Sequence, residues 1–149
     1  MRIVIQRVAH ASVTIDDKTA SQIGKGLLIL IGIENTDCQE DADWLVKKVV
    51  GLRVFDDENG VMNRSILDVG GEILAVSQFT LLASTRKGNR PSYIKAARHE
   101  LAVPMYEEFC RMTSTLTGRE TRRGVFGADM KVSQINDGPV TIVIDSKNK

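Results

Sequence analysis

Apolar and polar side chains alternate over residues 2–8 and again over 11–16. The pattern predicts two strands joined as a hairpin, with Ile3 and Ile5 on one face of the first and Val13 and Ile15 on the second. Alternation stops at GLLILIGI (26–33), an unbroken apolar run that fits a strand buried on both faces. The period then changes. Ala42, Leu45, Val46 and Val49 recur at helical spacing behind Asp37 and Glu40, whose separation resembles a capping box.

DDENGVMN (56–63) contains a turn, and GGEILAVSQFTLLAS (70–84) reads as a long central strand that turns polar in its middle. KGNRPS (87–92) is a loop. Residues 93–118 read as two helices, because Pro104 would clash inside one helix but suits the first turn of a second, and Gly118 supplies the stop. Strands at 121–126, 130–135 and 140–145 finish the chain. Strands at both ends with helices between predict an α+β fold with a mixed sheet, and the 149 residues fit one domain, 1–149.

Charge narrows the choice of partners. A net charge of +1 leaves no uniformly basic body, so nucleic-acid contact has to come from local clusters. Arg86, Lys87, Arg90, Lys95 and Arg98 form one, and Arg119, Arg122 and Arg123 another. Cys38 and Cys110 lie far apart in helix-like contexts, which fits a reduced, cytoplasmic protein better than a disulfide framework. No apolar run approaches membrane-spanning length, and no signal-peptide core is visible.

Candidate chemistry concentrates in three stretches. Ser77 and Thr80 of SQFTL carry hydroxyls able to attack a carbonyl, but residues three apart in a regular strand face opposite sides. They can share a pocket only if the strand bends, bulges or ends near Gln78. No base is evident, since His10 is expected at a turn and His99 on a helix, and there is no G-x-S-x-G elbow. Gln78 and nearby backbone N–H groups are better placed as donors to a developing oxyanion. His99-Glu100 opens like a zincin helix, but Val103 stands where the second histidine belongs, and no metal or other cofactor is expected.

Gly138-Pro139 in INDGPVTIVI opens a strand with one residue lacking a side chain and one lacking an N–H. Pro139 can simply start an edge strand. Alternatively, Gly138 lets a ligand approach the backbone, and local carbonyls accept from a substrate ammonium group. Phe126 and Met130 of GVFGADM can form an apolar slot for a flat ring, or pack in the core.

MRIVIQRV, GLLILIGI, SQFTL, KGNRPS, FGADM and NDGPVT, in this order and covering essentially the whole chain, resemble the D-aminoacyl-tRNA deacylases of the bacterial and eukaryotic type. SQFTL and NDGPVT are that family's two signature motifs. The resemblance implies a compact domain with a barrel-like mixed sheet flanked by a few helices, and a homodimer with active sites at the subunit interface. It implies hydrolysis of the ester between a D-amino acid and the 3′ end of tRNA, with Ser77, Gln78, Phe79 and Thr80 in the pocket and Phe126 and Met130 holding the terminal adenine. Gly138-Pro139 would be a cis dipeptide, steadied by Arg7, that enters the partner's site and rejects L side chains. Glycyl-tRNA, including mischarged glycyl-tRNA(Ala), has no side chain to reject and would be accepted. Arg86, Lys87 and Arg90 are candidates for phosphate contact. Two other readings stay open: a tRNA-binding module without catalysis, and a small-ester hydrolase acting through Ser77 or Thr80.

Overall fold

A computed structural model describes residues 1–149. β1 (Arg2–Ile15) is one continuous strand where two were expected, and it organises the sheet. It pairs antiparallel with β2 (Lys18–Ile23), with β3 (Gly26–Gly32) and with β8 (Lys131–Asp145). The reversal comes later than expected, at Asp16 and Asp17, both with positive φ (49° and 59°). His10 therefore lies inside β1, not at a turn.

The misreading has a physical cause. Val8 pairs with Asn136 and His10 with Ile135, so β1 advances two residues while β8 advances one. That bulge at Ala9 shifts the alternation by one position. Ile3 and Ile5 pack toward the helices, whereas Val8, Ala11 and Val13 fill the inside of the curled sheet. A strand that changes parity midway looks like two strands in sequence.

β3 runs parallel to β6 (Glu72–Ser77), which runs parallel to the two-residue β7 (Arg122–Arg123). The sheet is mixed and barrel-like. Leu27, Ile29 and Ile31 of β3 face the helical layer, while Leu28 faces the interior of the curl, which explains the unbroken apolar run. Each such fully buried side chain contributes about 1.5–3 kcal/mol, so burial on two faces outweighs the β-sheet cost of the flanking glycines.

The helical layer is α1 (Gln39–Gly51), the short α2 (Ile66–Val69) and α3 (His99–Thr117). At α1 the reciprocal cap is Cys38 with Asp41, one residue beyond the expected pair; Asp37 instead accepts from the Met1 ammonium and the Glu34 N–H. Burial works against the Asp41 carboxylate, but the Lys147 ammonium and the Cys38 N–H hold it well below the usual aspartate range. α3 is a single helix beginning six residues later than expected, with Pro104 in its second turn and Gly118 as its left-handed cap (φ 67°). The proline removes the bond to the carbonyl of Glu100, an exposed residue near the start of the helix, where one missing bond is tolerated. DDENGVMN does form a turn, between β4 (Phe55–Asp56) and β5 (Met62–Arg64). No helix is long and apolar enough to cross a membrane.

Candidate active site

The central strand is much shorter than expected. β6 ends at Ser77, Gln78 takes φ −144° and ψ 79°, and residues Phe79–Leu82 form a 3-10 turn. The polar break in SQFTL is thus a change of backbone direction, the condition under which Ser77 and Thr80 need not face opposite sides. The turn is fixed at both ends. Gln78 N–H donates to Ile31 O at 2.7 Å, and Arg2 Nη1 donates to Leu81 O at 2.8 Å. Arg2 is itself held by Asp145, through Nε at 3.0 Å and Nη2 at 2.8 Å. Sequence reasoning missed Arg2, and no local signal marks it, because its partners lie 79 and 143 residues away.

Above the carboxyl ends of the parallel strands β3 and β6 lies a cleft of about 500 Å³. Clefts in that position are common ligand sites in parallel sheets. Ser77, Gln78 and Phe79 form one side, and Phe126 and Met130 the other. Five of the residues singled out in the sequence therefore meet in one place. Thr80 sits beside the cleft without lining it, and its hydroxyl accepts from Gln78 Nε2. His99, which had no assigned place beyond a helix, also lines the cleft.

Phe126 and Met130 are positioned by their backing. Phe126 meets Tyr106 edge to face at 5.9 Å, and the Tyr106 hydroxyl donates to Ala75 O at 2.9 Å. Met130 lies against Gly124, where a β-carbon would come within 2.5 Å of its sulfur, so any larger residue at 124 would displace it. The stretch 121–126 was expected to be a strand, but it pairs only at Arg122–Arg123 and then loops to form this wall. Burial pushes the Tyr106 hydroxyl far up and the Cys110 thiol to about 11, so the support behind the wall is uncharged near neutral pH.

Gly138, Pro139 and Arg7 are elsewhere. The expected strands 130–135 and 140–145 are one strand, β8, interrupted by a bulge. Gln6 pairs with Thr141 and Val8 with Asn136, so four residues, Asp137 to Val140, stand opposite Arg7 alone. The Gly138-Pro139 bond is cis, and both residues are exposed. Arg7 is buried beneath the bulge. Its Nε donates to Asp137 O at 2.9 Å, and its Nη1 to Val54 O at 2.6 Å and Asp56 Oδ1 at 3.2 Å. Nothing of this bulge lines the cleft of the same chain.

Arg86, Lys87 and Arg90 are exposed on a loop whose neck is tied by reciprocal bonds between Ser84 and Ser92, at 2.8 and 2.9 Å. Ser84 follows the 3-10 turn by two residues, so the loop that carries the cations begins just past the turn that borders the cleft.

These features define an α+β domain with a curled mixed sheet and an aromatic-walled cleft beside a tightly held turn. A family model described as D-Tyr-tRNA(Tyr) deacylase matches residues 4–145, and the chain belongs to that family. A D-aminoacyl-tRNA deacylase of Bacteroides thetaiotaomicron is 67% identical over 149 residues, 100% of this chain and 99% of the relative. One from Flavobacterium psychrophilum is 61% identical over the same span and shares. Among solved structures, a c-Myc DNA unwinding element binding protein superposes with a TM-score of 0.91 at 40% identity, covering 97% of this chain and 98% of that one. A probable eukaryotic D-amino acid tRNA deacylase gives 0.83 at 16% identity over 96% and 97%, a likeness of fold.

Proposed function

We propose that this protein hydrolyses the ester of D-aminoacyl-tRNA, releasing the D-amino acid and tRNA, in the cytoplasm and as a homodimer. One observation carries the reading: the two signature stretches are separated within a chain. SQFTL borders a cleft with Phe126 and Met130, whereas NDGPVT makes an exposed bulge outside it. A second copy would complete each cleft with the other's Gly138 and Pro139. Exposed Ile135 and Val143 on β8 give that copy apolar side chains to cover.

The terminal adenine would enter between Phe126 and Met130, placing the ester near the turn at Gln78. The partner's Gly138 and Pro139 carbonyls would accept from the substrate ammonium group. An L side chain would then collide with the bulge, while a D side chain or the hydrogen of glycine would pass. Steric rejection of this kind discriminates more strongly than added attraction. The Phe79 and Thr80 N–H groups open the 3-10 turn and have no partner within it, so they can stabilise the oxyanion; the Gln78 N–H is already engaged by Ile31.

Thr80 is a poor nucleophile in this setting. Its oxygen accepts from Gln78, and no histidine or carboxylate hydrogen-bonds it. We favour attack by water, assisted by the 2′-hydroxyl of the substrate. Single-turnover deacylation by Thr80→Ala, and by wild type on tRNA ending in 2′-deoxyadenosine, tests this. The expected result is near-normal hydrolysis by the variant and severe loss with the deoxy substrate; the opposite pair would establish Thr80 as the nucleophile. Binding with no hydrolysis of D- or L-aminoacyl-tRNA would leave only a binding module.

A further inference from the structure

Three rings stand in series at the cleft wall. His99 meets Phe126 edge to face, with centroids 5.0 Å apart and planes at 73°, and Phe126 meets Tyr106 in the same manner at 61°. Tyr106 is anchored to β6 through Ala75 O, so the inner end of the series is fixed. The outer end is the imidazole. It also covers the backbone of Gly127, where a β-carbon would lie 3.6 Å from His99 Cε1.

His99 opens α3, is exposed, and lines the cleft together with Phe126, Gly127 and Met130. Its ring nitrogens make no hydrogen bond to protein, while its ring rests on Phe126 and its Cε1 lies toward Gly127. A neutral imidazole offers one donor and one acceptor, and a purine nucleoside presents both kinds of group along its edges. An exposed histidine resting on a phenylalanine is ordinarily packing alone. This one also lines the cleft proposed to receive the flat ring, and no protein group hydrogen-bonds its nitrogens.

Resting on the deacylase reading above, we propose that His99 is a substrate-contacting residue: it closes the outer side of the nucleoside slot, hydrogen-bonds the terminal adenosine through a ring nitrogen, and holds Phe126 in place. The packing role and the polar role separate by substitution. His99→Phe keeps a ring against Phe126 but has no nitrogen, whereas His99→Gln keeps a donor and an acceptor without the ring.

The test is binding of one uncharged tRNA, with its terminal adenosine and with that nucleotide removed, to wild type and to His99→Phe, His99→Gln and His99→Ala. The truncated RNA reports phosphate contacts and folding, and so serves as the control within each variant. Wild type is expected to prefer the intact RNA. His99→Ala should shrink that preference by about three- to tenfold, the range of one lost hydrogen bond, with truncated-RNA affinity unchanged. His99→Phe should shrink it nearly as much, and His99→Gln should restore part. A His99→Phe protein as discriminating as wild type would reduce His99 to packing and overturn the inference while leaving the deacylase reading intact. A wild type that does not distinguish the two RNAs would overturn both.

Discussion

The cleft and the β8 bulge are built in opposite ways. The cleft stands on buried strands, with Phe126 held by Tyr106, Met130 seated on Gly124, and the Gln78 turn pinned by Ile31 and Arg2. The bulge projects from the surface, with one buried side chain, Arg7, beneath it. The difference teaches that the two halves of the proposed site have different requirements. Holding a nucleoside and an ester needs a shaped, supported wall. On the proposed reading, judging handedness needs main-chain oxygens presented outward, to the cleft of a second copy and not to that of the same chain.

Substitutions in the two regions should therefore damage different properties. Arg7→Ala should have the largest effect, since it strips a charged donor from two carbonyls and a carboxylate. Stability in urea should fall by about 2–3 kcal/mol, and the preference for D- over L-aminoacyl-tRNA should narrow by tenfold or more. Selectivity that survives the loss of Arg7 would remove the bulge from stereochemical judgement. Phe126→Ala comes next. Losing one base-stacking platform should lower kcat/KM about ten- to hundredfold, with the D-to-L ratio unchanged. A shift in that ratio would mean that cleft and bulge are not separable. Replacing Arg86, Lys87 and Arg90 together by Gln should act on neither property directly. It should weaken tRNA binding and flatten the slope of log affinity against log salt by about 2–3, with melting temperature unchanged. An unaltered slope would place the phosphate path elsewhere.

The cleft was more legible in the sequence than the strand register. SQFTL and FGADM each carry their local signal: a polar interruption in an apolar strand, and a glycine-flanked ring and thioether. What brings them together is the parallel pairing of β3, β6 and β7, which no single stretch encodes. The hairpin expected within β1 and the two strands expected within β8 failed for one reason. Bulges at Ala9 and opposite Arg7 interrupt period-two alternation without ending the strand, and a bulge is defined by its partner's register. His99 was visible as a residue, but not as part of the cleft. Its place depends on α3 starting at His99 and not at Tyr93, and the apolar pattern of the helix is silent about its first turn.

Position 138 has one more consequence. Its φ of +132° is a conformation that L residues rarely adopt, and a methyl group there would come within 2.8 Å of Val140 Cγ2 and 3.1 Å of Arg7 Nη2. If the proposed function holds, the only genetically encoded amino acid that is its own mirror image would occupy the point where mirror images are told apart. Substitution at this position is opposed from two directions, by torsion and by crowding, so a filter built on it could not be tuned gradually through side-chain size.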